Sequence, residues 1–128
     1  MKYFTLNELT ATNRKIQNYP NAVQIQNLQK LVKNILDPLR EMYGKPIKIN
    51  SGFRSIALNS AVGGAKNSDH LFGYAADITT GTKSENEKLF NLIKDNLKFR
   101  QLINEYNFSW VHVSFNENDL KQQILKVK

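Results

Sequence analysis

The sequence predicts an α+β fold: a small antiparallel sheet with helices packed against it, formed by residues 1–128 as a single domain. Two helical stripes and one alternating strand carry that prediction. Apolar residues recur at helical spacing from Leu28 to Met42 and again from Leu89 to Leu97. In WVHVSF, residues 110–115, apolar and polar positions alternate with the period of two expected of a strand whose faces meet different surroundings. A chain of 128 residues with 41% hydrophobic residues is long enough to bury a core. Domains of that size cover about two-thirds of the surface their unfolded chains expose.

In chain order, Thr5 and Glu8 form a capping box for a short N-terminal helix, because each side chain can satisfy a backbone N–H at the helix start. A longer helix is expected from about Ala22, its buried stripe being Leu28, Leu31, Val32, Ile35, Leu36, Leu39 and Met42. Pro38 should kink or restart it, since proline has no N–H to give the preceding turn, and Gly44 with Pro46 ends it. Ile47 to Asn50 reads as a strand entering a turn at Ser51 and Gly52, and Arg54 to Val62 as a short helix stopped by Gly63 and Gly64. Residues 63–73 read as a loop, Tyr74 to Thr79 as a strand. Ser84 with Glu87 is a second capping box, opening a helix with the stripe Leu89, Phe90, Ile93 and Leu97. Residues 101–105 and 110–115 read as strands joined by Tyr106 to Ser109, a connection of hairpin length. The tail from Asn116 is open between helix and strand.

Composition narrows the function classes. There is no cysteine, so disulfides, thiolate zinc sites and a cysteine nucleophile are excluded, and any metal must use nitrogen and oxygen ligands. The net charge of +7 comes from basic residues scattered over both ends of the chain, with a neutral middle third. Nucleic-acid readers gather Lys and Arg along one element, so no nucleic-acid partner is expected. MKYFTLNELT lacks the apolar run of a secretory signal and no stretch is apolar enough to span a bilayer, so the expectation is synthesis in the cytoplasm without a signal peptide and no membrane insertion.

Chemistry concentrates in three residues. The two histidines are His70, in the loop SDHLFGYAAD, and His112, on the WVHVSF strand, where it shares a face with Trp110 and Ser114 while Val111, Val113 and Phe115 point into the core. Asp77 falls on the face of its strand that carries the small Ala75 and Thr79, away from Tyr74, Ala76 and Ile78. Two imidazoles and a carboxylate fit a catalytic zinc that keeps one position open for water. Spacing alone leaves the alternatives standing: a loop-stabilising hydrogen bond for His70, and capping or pairing with Arg54 for Asp77.

The runs SGFRS (51–55), LNSAVGG (58–64), SDHLFGYAADI (68–78) and WVHVSF (110–115) resemble the zinc D-alanyl-D-alanine carboxypeptidase family. That family includes vancomycin-resistance D,D-dipeptidases and phage endolysins that cut L-alanyl-D-glutamate bonds, and it shares its fold with hedgehog signalling domains. The resemblance covers most of residues 20–115. It implies a hedgehog-like zinc peptidase fold, one zinc ion on His70, Asp77 and His112, and Arg54 in contact with the substrate or its developing oxyanion. It also implies that Ser68 contacts the substrate, which is a peptidoglycan stem peptide.

Many relatives carry an acid three residues before the last histidine, where this chain has Ser109. The general base must come from elsewhere. With Glu105 opposite Trp110, Ile103 faces His112 and Glu105 lies diagonal to it, within reach of a water at the metal; relatives with QLI followed by a glutamate match Gln101 to Ile103 and Glu105. Glu117 is the second choice. Trp110 is expected as packing or as a wall of the cleft. The expected activity is zinc-dependent hydrolysis of a wall peptide bond, as a carboxypeptidase or an endolysin-type endopeptidase, related to phage or prophage lysis, acting on the wall after release and as a monomer. A zinc-binding module without catalysis and a basic nucleic-acid binder are the rival classes.

Overall fold

The computed structural model describes residues 1–128. Helix α1, Leu6–Thr10, starts at the expected capping box: Glu8 N–H donates to Thr5 Oγ1 at 3.2 Å and Thr5 N–H to Glu8 Oε1 at 3.0 Å. Helix α2, Ala22–Leu31, has a capping box of its own in Asn21 and Gln24. It runs into a π-helical segment, Val32–Leu36, and resumes as α3, Asp37–Tyr43. The wide turn is closed by Asp37 N–H donating to Val32 O, immediately before Pro38. A widened turn there absorbs the hydrogen bond that proline cannot make, so the restart expected at Pro38 takes the form of a π-bulge. Leu28, Leu31, Val32, Ile35, Leu36 and Leu39 are all fully buried; Met42, expected in the same stripe, is 41% exposed. Burying each of the six is worth about 1.5–3 kcal/mol.

Strand β1, Lys48–Ser51, leads to α4, Ile56–Ala61, capped by Ser55, whose hydroxyl accepts from Leu58 N–H. A 3₁₀ turn, Asp69–Phe72, lies within the expected loop and is followed by β2, Ala75–Thr79. Tyr74 precedes this strand, is only half-buried and stacks on Phe72 at 5.7 Å, so it does not join the core as expected. Helix α5, Lys83–Asn96, is capped by Thr82, which corrects the capping box expected at Ser84 and Glu87. Thr82 and Glu85 carry the same three-residue spacing two positions earlier. The turn before them is pinned by Asn86, whose Oδ1 accepts from Thr80 N–H at 2.8 Å.

Strands β3, Gln101–Glu105, and β4, Trp110–Ser114, form the expected hairpin, with Ile103 opposite His112 and Glu105 opposite Trp110. Its connection carries three consecutive left-handed residues, Tyr106, Asn107 and Phe108, at φ 53°, 55° and 60°. Such a run costs roughly 1–2 kcal/mol per residue, offset here by Asn104, which accepts from Phe108 N–H at 2.6 Å, and by Asn86, which donates to Phe108 O at 2.9 Å.

The tail resolves as a strand, β5, Gln123–Val127. Sheet order is β1-β2-β4-β3-β5. Neighbours among β1 to β4 are antiparallel as expected, but β5 lies parallel to β3, so the sheet is mixed rather than wholly antiparallel. The chain crosses back after β4 and re-enters the sheet at the free edge of β3, which sets the parallel direction.

The two faces of this sheet have different fates. Ala76, Ile78, Leu102, Val111 and Val113 join α2, α3 and α5 in one cluster of 20 buried apolar residues. The opposite face carries Asp77, Ile103, Glu105, Trp110 and His112, all of which line an open cleft. Residue alternation along three strands separates core from cleft.

Candidate metal centre

Strand pairing places Asp77 directly opposite His112, and the bond between them follows: His112 Nδ1 lies 2.9 Å from Asp77 Oδ1. The third group arrives from the 3₁₀ turn. Ser68 caps that turn by accepting from His70 N–H at 3.2 Å, and His70 O accepts from Arg54 N–H at 3.0 Å. The His70 ring is fixed by its Nδ1, 2.7 Å from Gly52 O. A carbonyl only accepts, so Nδ1 carries the proton and Nε2 presents its lone pair, the arrangement in which a hydrogen bond on one ring nitrogen orients the other towards a metal.

That lone pair points at Asp77 Oδ2, 3.3 Å away. Two acceptors at this distance repel unless a cation or a proton lies with them. The ligand atoms of His70, Asp77 and His112 all fall within 4.8 Å of one another, and the three residues are buried. Two nitrogens and an oxygen at the floor of a cleft fit one zinc ion with an open side. Burial pushes the Asp77 carboxyl up, but the facing His70 and His112 rings, when they carry a positive charge, outweigh it and hold the group well below the ordinary carboxylate range.

Arg54 faces the cleft as a clamped group. Its Nε donates to Ser51 Oγ at 3.0 Å, Nη1 to Asn59 Oδ1 at 3.2 Å and Nη2 to Asp77 Oδ2 at 3.3 Å. Pairing with Arg54 is the alternative the sequence leaves to a ligand role for Asp77, and the contact still leaves the guanidinium donors for a substrate: it has five N–H groups, and three are used. Close packing enforces the clamp. A Cβ on Gly64 would sit 2.0 Å from Asn59 Oδ1 and 2.9 Å from Arg54 Nη1, so only glycine leaves room for that pair.

The remaining predicted residues divide. Ser68, Glu105 and Trp110 line the same cleft of about 410 Å³ as the three ligand candidates and Arg54. Trp110 Nε1 donates to Glu105 Oε2 at 2.9 Å, which aims the carboxylate and leaves its other oxygen free. Glu117 is not part of the cleft; it is exposed and pairs with Lys30 at 2.6 Å.

Sequence reading missed the supports. Gly52, which holds His70, sits where a Cβ would lie 2.3 Å from Leu9 O. Asn59, buried on α4, also donates to Ala65 O at 2.9 Å. Arg100 bridges Asp69, beside His70, at 2.7 Å and Asp119, in the tail, at 3.0 Å. The LNSAVGG run contained a signal for Asn59, an amide in an otherwise small and apolar helix. The other two are long-range contacts that no local pattern reveals.

The sequence pattern of the family described as peptidase M15 matches residues 2–114. The chain is also similar to a zinc D-Ala-D-Ala carboxypeptidase of Streptomyces albus G, with 51% identity over 49 residues, 38% of this chain. The match spans only 19% of that relative's length. No helix of the fold is long and apolar enough to cross a membrane.

Proposed function

The chain belongs to the peptidase M15 family, and from that premise we propose that it is a zinc-dependent hydrolase of a peptide bond in bacterial wall stem peptides. The observation that carries the reading is the His70, Asp77 and His112 group, three buried donors within 4.8 Å at the floor of a cleft. When bound there, zinc supplies a Lewis acid and brings the pKa of water towards neutrality.

The chain's own residues do the rest. The free oxygen of Glu105 accepts a proton from the attacking water and returns it to the leaving amine, while the Trp110 indole keeps the carboxylate facing the cleft. Arg54 turns its unused N–H donors to the carbonyl oxygen as negative charge builds there. Its clamp on Ser51, Asn59 and Asp77 means no reorganisation is needed at that moment. Ser68 holds the turn that presents His70 and offers its hydroxyl to the substrate backbone. Release by a lytic helper, as for phage enzymes, is the route to the wall in this reading.

Digesting purified peptidoglycan with and without a chelator, then identifying the new ends by mass spectrometry, tests the reading. A chelator-sensitive new amino or carboxyl terminus within the stem is the expected result, and its position distinguishes terminal D-alanine removal from an internal cut. Intact stems after incubation with zinc-loaded protein would refute it. Glu105→Gln is expected to retain zinc while turnover falls by about 10²–10⁴; a module that only binds zinc would have no turnover to lose.

A further inference from the structure

A second groove, of about 370 Å³, adjoins the metal cleft, and Arg54 lines both. It runs between the segment after α1 and the outer strand β1, over α4. The two spaces differ in charge. The metal cleft balances Arg54 and Arg100 with Asp69, Asp77 and Glu105. The second groove carries Arg14 and Lys48 with no aspartate or glutamate in its lining.

Arg54 is already committed to Asp77, but Arg14 and Lys48 form none of the ion pairs of the fold. Thr12, Asn13 and Asn50 add polar side chains beside them. Free cations in a concave, acid-free space attract an anion more strongly than the same cations on a convex surface, because the low-dielectric walls focus their field.

We propose that this groove is a subsite for a carboxylate of the substrate, and that Arg14 and Lys48 select stem peptides bearing a free carboxylate over those in which it is an amide. The inference rests on the peptidase reading and gives that same site its substrate class. A peptide lying across Arg54 with its scissile carbonyl at the metal reaches the second groove within a few residues, since an extended chain advances about 3.3 Å per residue. The carboxylate therefore belongs to a residue near the cut bond. A guanidinium and an ammonium can both donate charge-assisted hydrogen bonds to it, whereas the amide gains neither the charge nor the second acceptor oxygen.

The test uses two synthetic stem peptides that differ only in a free glutamate carboxylate or its carboxamide, assayed with the zinc-loaded wild type, Arg14→Gln, Lys48→Gln and the double variant. Wild type is expected to prefer the carboxylate peptide by about tenfold in kcat/KM, carried by KM, as two partly exposed charge-assisted contacts would give. Each single variant should lose part of that preference, and the double variant all of it. Equal use of the two peptides by wild type, or a preference that survives in the double variant, overturns the proposal. If neither peptide is cleaved, the peptidase reading fails by itself. The uncleaved peptides then serve as ligands in calorimetric titration, where carboxylate-dependent affinity lost with Arg14 and Lys48 supports the subsite and equal affinities refute it.

Discussion

His112 and His70 face the same few ångströms of space but are held there by different kinds of structure. His112 and Asp77 sit on adjacent strands, and pairing of β2 with β4 makes them direct neighbours. Backbone ladders and the apolar side chains on the opposite face fix both, because a one-residue slip would turn Val111, Val113 and Ile78 out of the core. His70 sits on a short 3₁₀ turn with no ladder behind it. It depends on a set of single contacts: Gly52 O on the ring, Ser68 and Arg54 on its backbone, and Arg100 on the neighbouring Asp69. The strand half of the centre is as stable as the sheet, while the loop half is the sum of contacts that can be removed one at a time.

The largest expected effect comes from the strand half. Asp77→Ala removes one ligand candidate and the counter-charge of Arg54 together, and zinc affinity measured by chelator competition should fall at least about a hundredfold. Retained zinc binding would mean the centre does not use the carboxylate.

Gly52→Ala tests the loop half through its main support. The new Cβ meets Leu9 O, so the backbone must shift, at about 1–3 kcal/mol in denaturant unfolding. The Gly52 carbonyl moves with it, and zinc affinity should fall although no ligand residue is touched. Unchanged affinity would show that His70 does not need that carbonyl.

Arg100→Gln is milder. It frees Asp69 and Asp119, and zinc affinity is expected to drop about tenfold, in line with loss of an outer contact. A drop in melting temperature without change in zinc affinity would assign Arg100 to the tail rather than to the loop.

The smallest effect lies away from both halves. Glu85 is held at about 2 by hydrogen bonds from Lys88, Tyr43 and Lys45, below its ordinary 4.5. A carboxyl with a depressed pKa contributes stability that is fully present above its unfolded value and is lost as pH falls through the folded one. Wild type should therefore lose more melting temperature between pH 4.5 and about 2 than Glu85→Gln, with zinc affinity at neutral pH equal in the two. Parallel acid limbs would show that these contacts do not hold Glu85.

The same division explains what could be read from the chain. Alternation in WVHVSF and in the strand around Asp77 separated core from cleft, except at Tyr74, and the hairpin register followed from the four-residue connection. The helix stripes were legible for the same reason, except at Met42 and Leu97, where the stripe extends past or only partly into the core. The cap of α5 was misread by two residues because Thr82 with Glu85 and Ser84 with Glu87 have equal spacing, and only the contacts of Asn86 distinguish them. The tail was undecided because an edge strand with one exposed side has too weak an apolar pattern to declare itself.

By itself the sequence determined the class of the fold, the faces of its strands and helices, and the donor types available to a metal. Each depends on side-chain chemistry repeated at short spacing. Only the tertiary structure decided that Gly52 turns His70, that Arg54 is clamped, that Arg100 ties the tail to the loop, and that β5 lies parallel to β3. These are pairings between residues 18 to 31 positions apart, such as Gly52 with His70, Arg54 with Asp77 and Arg100 with Asp69. Their energy depends on where the whole chain brings them, so no local pattern could announce them.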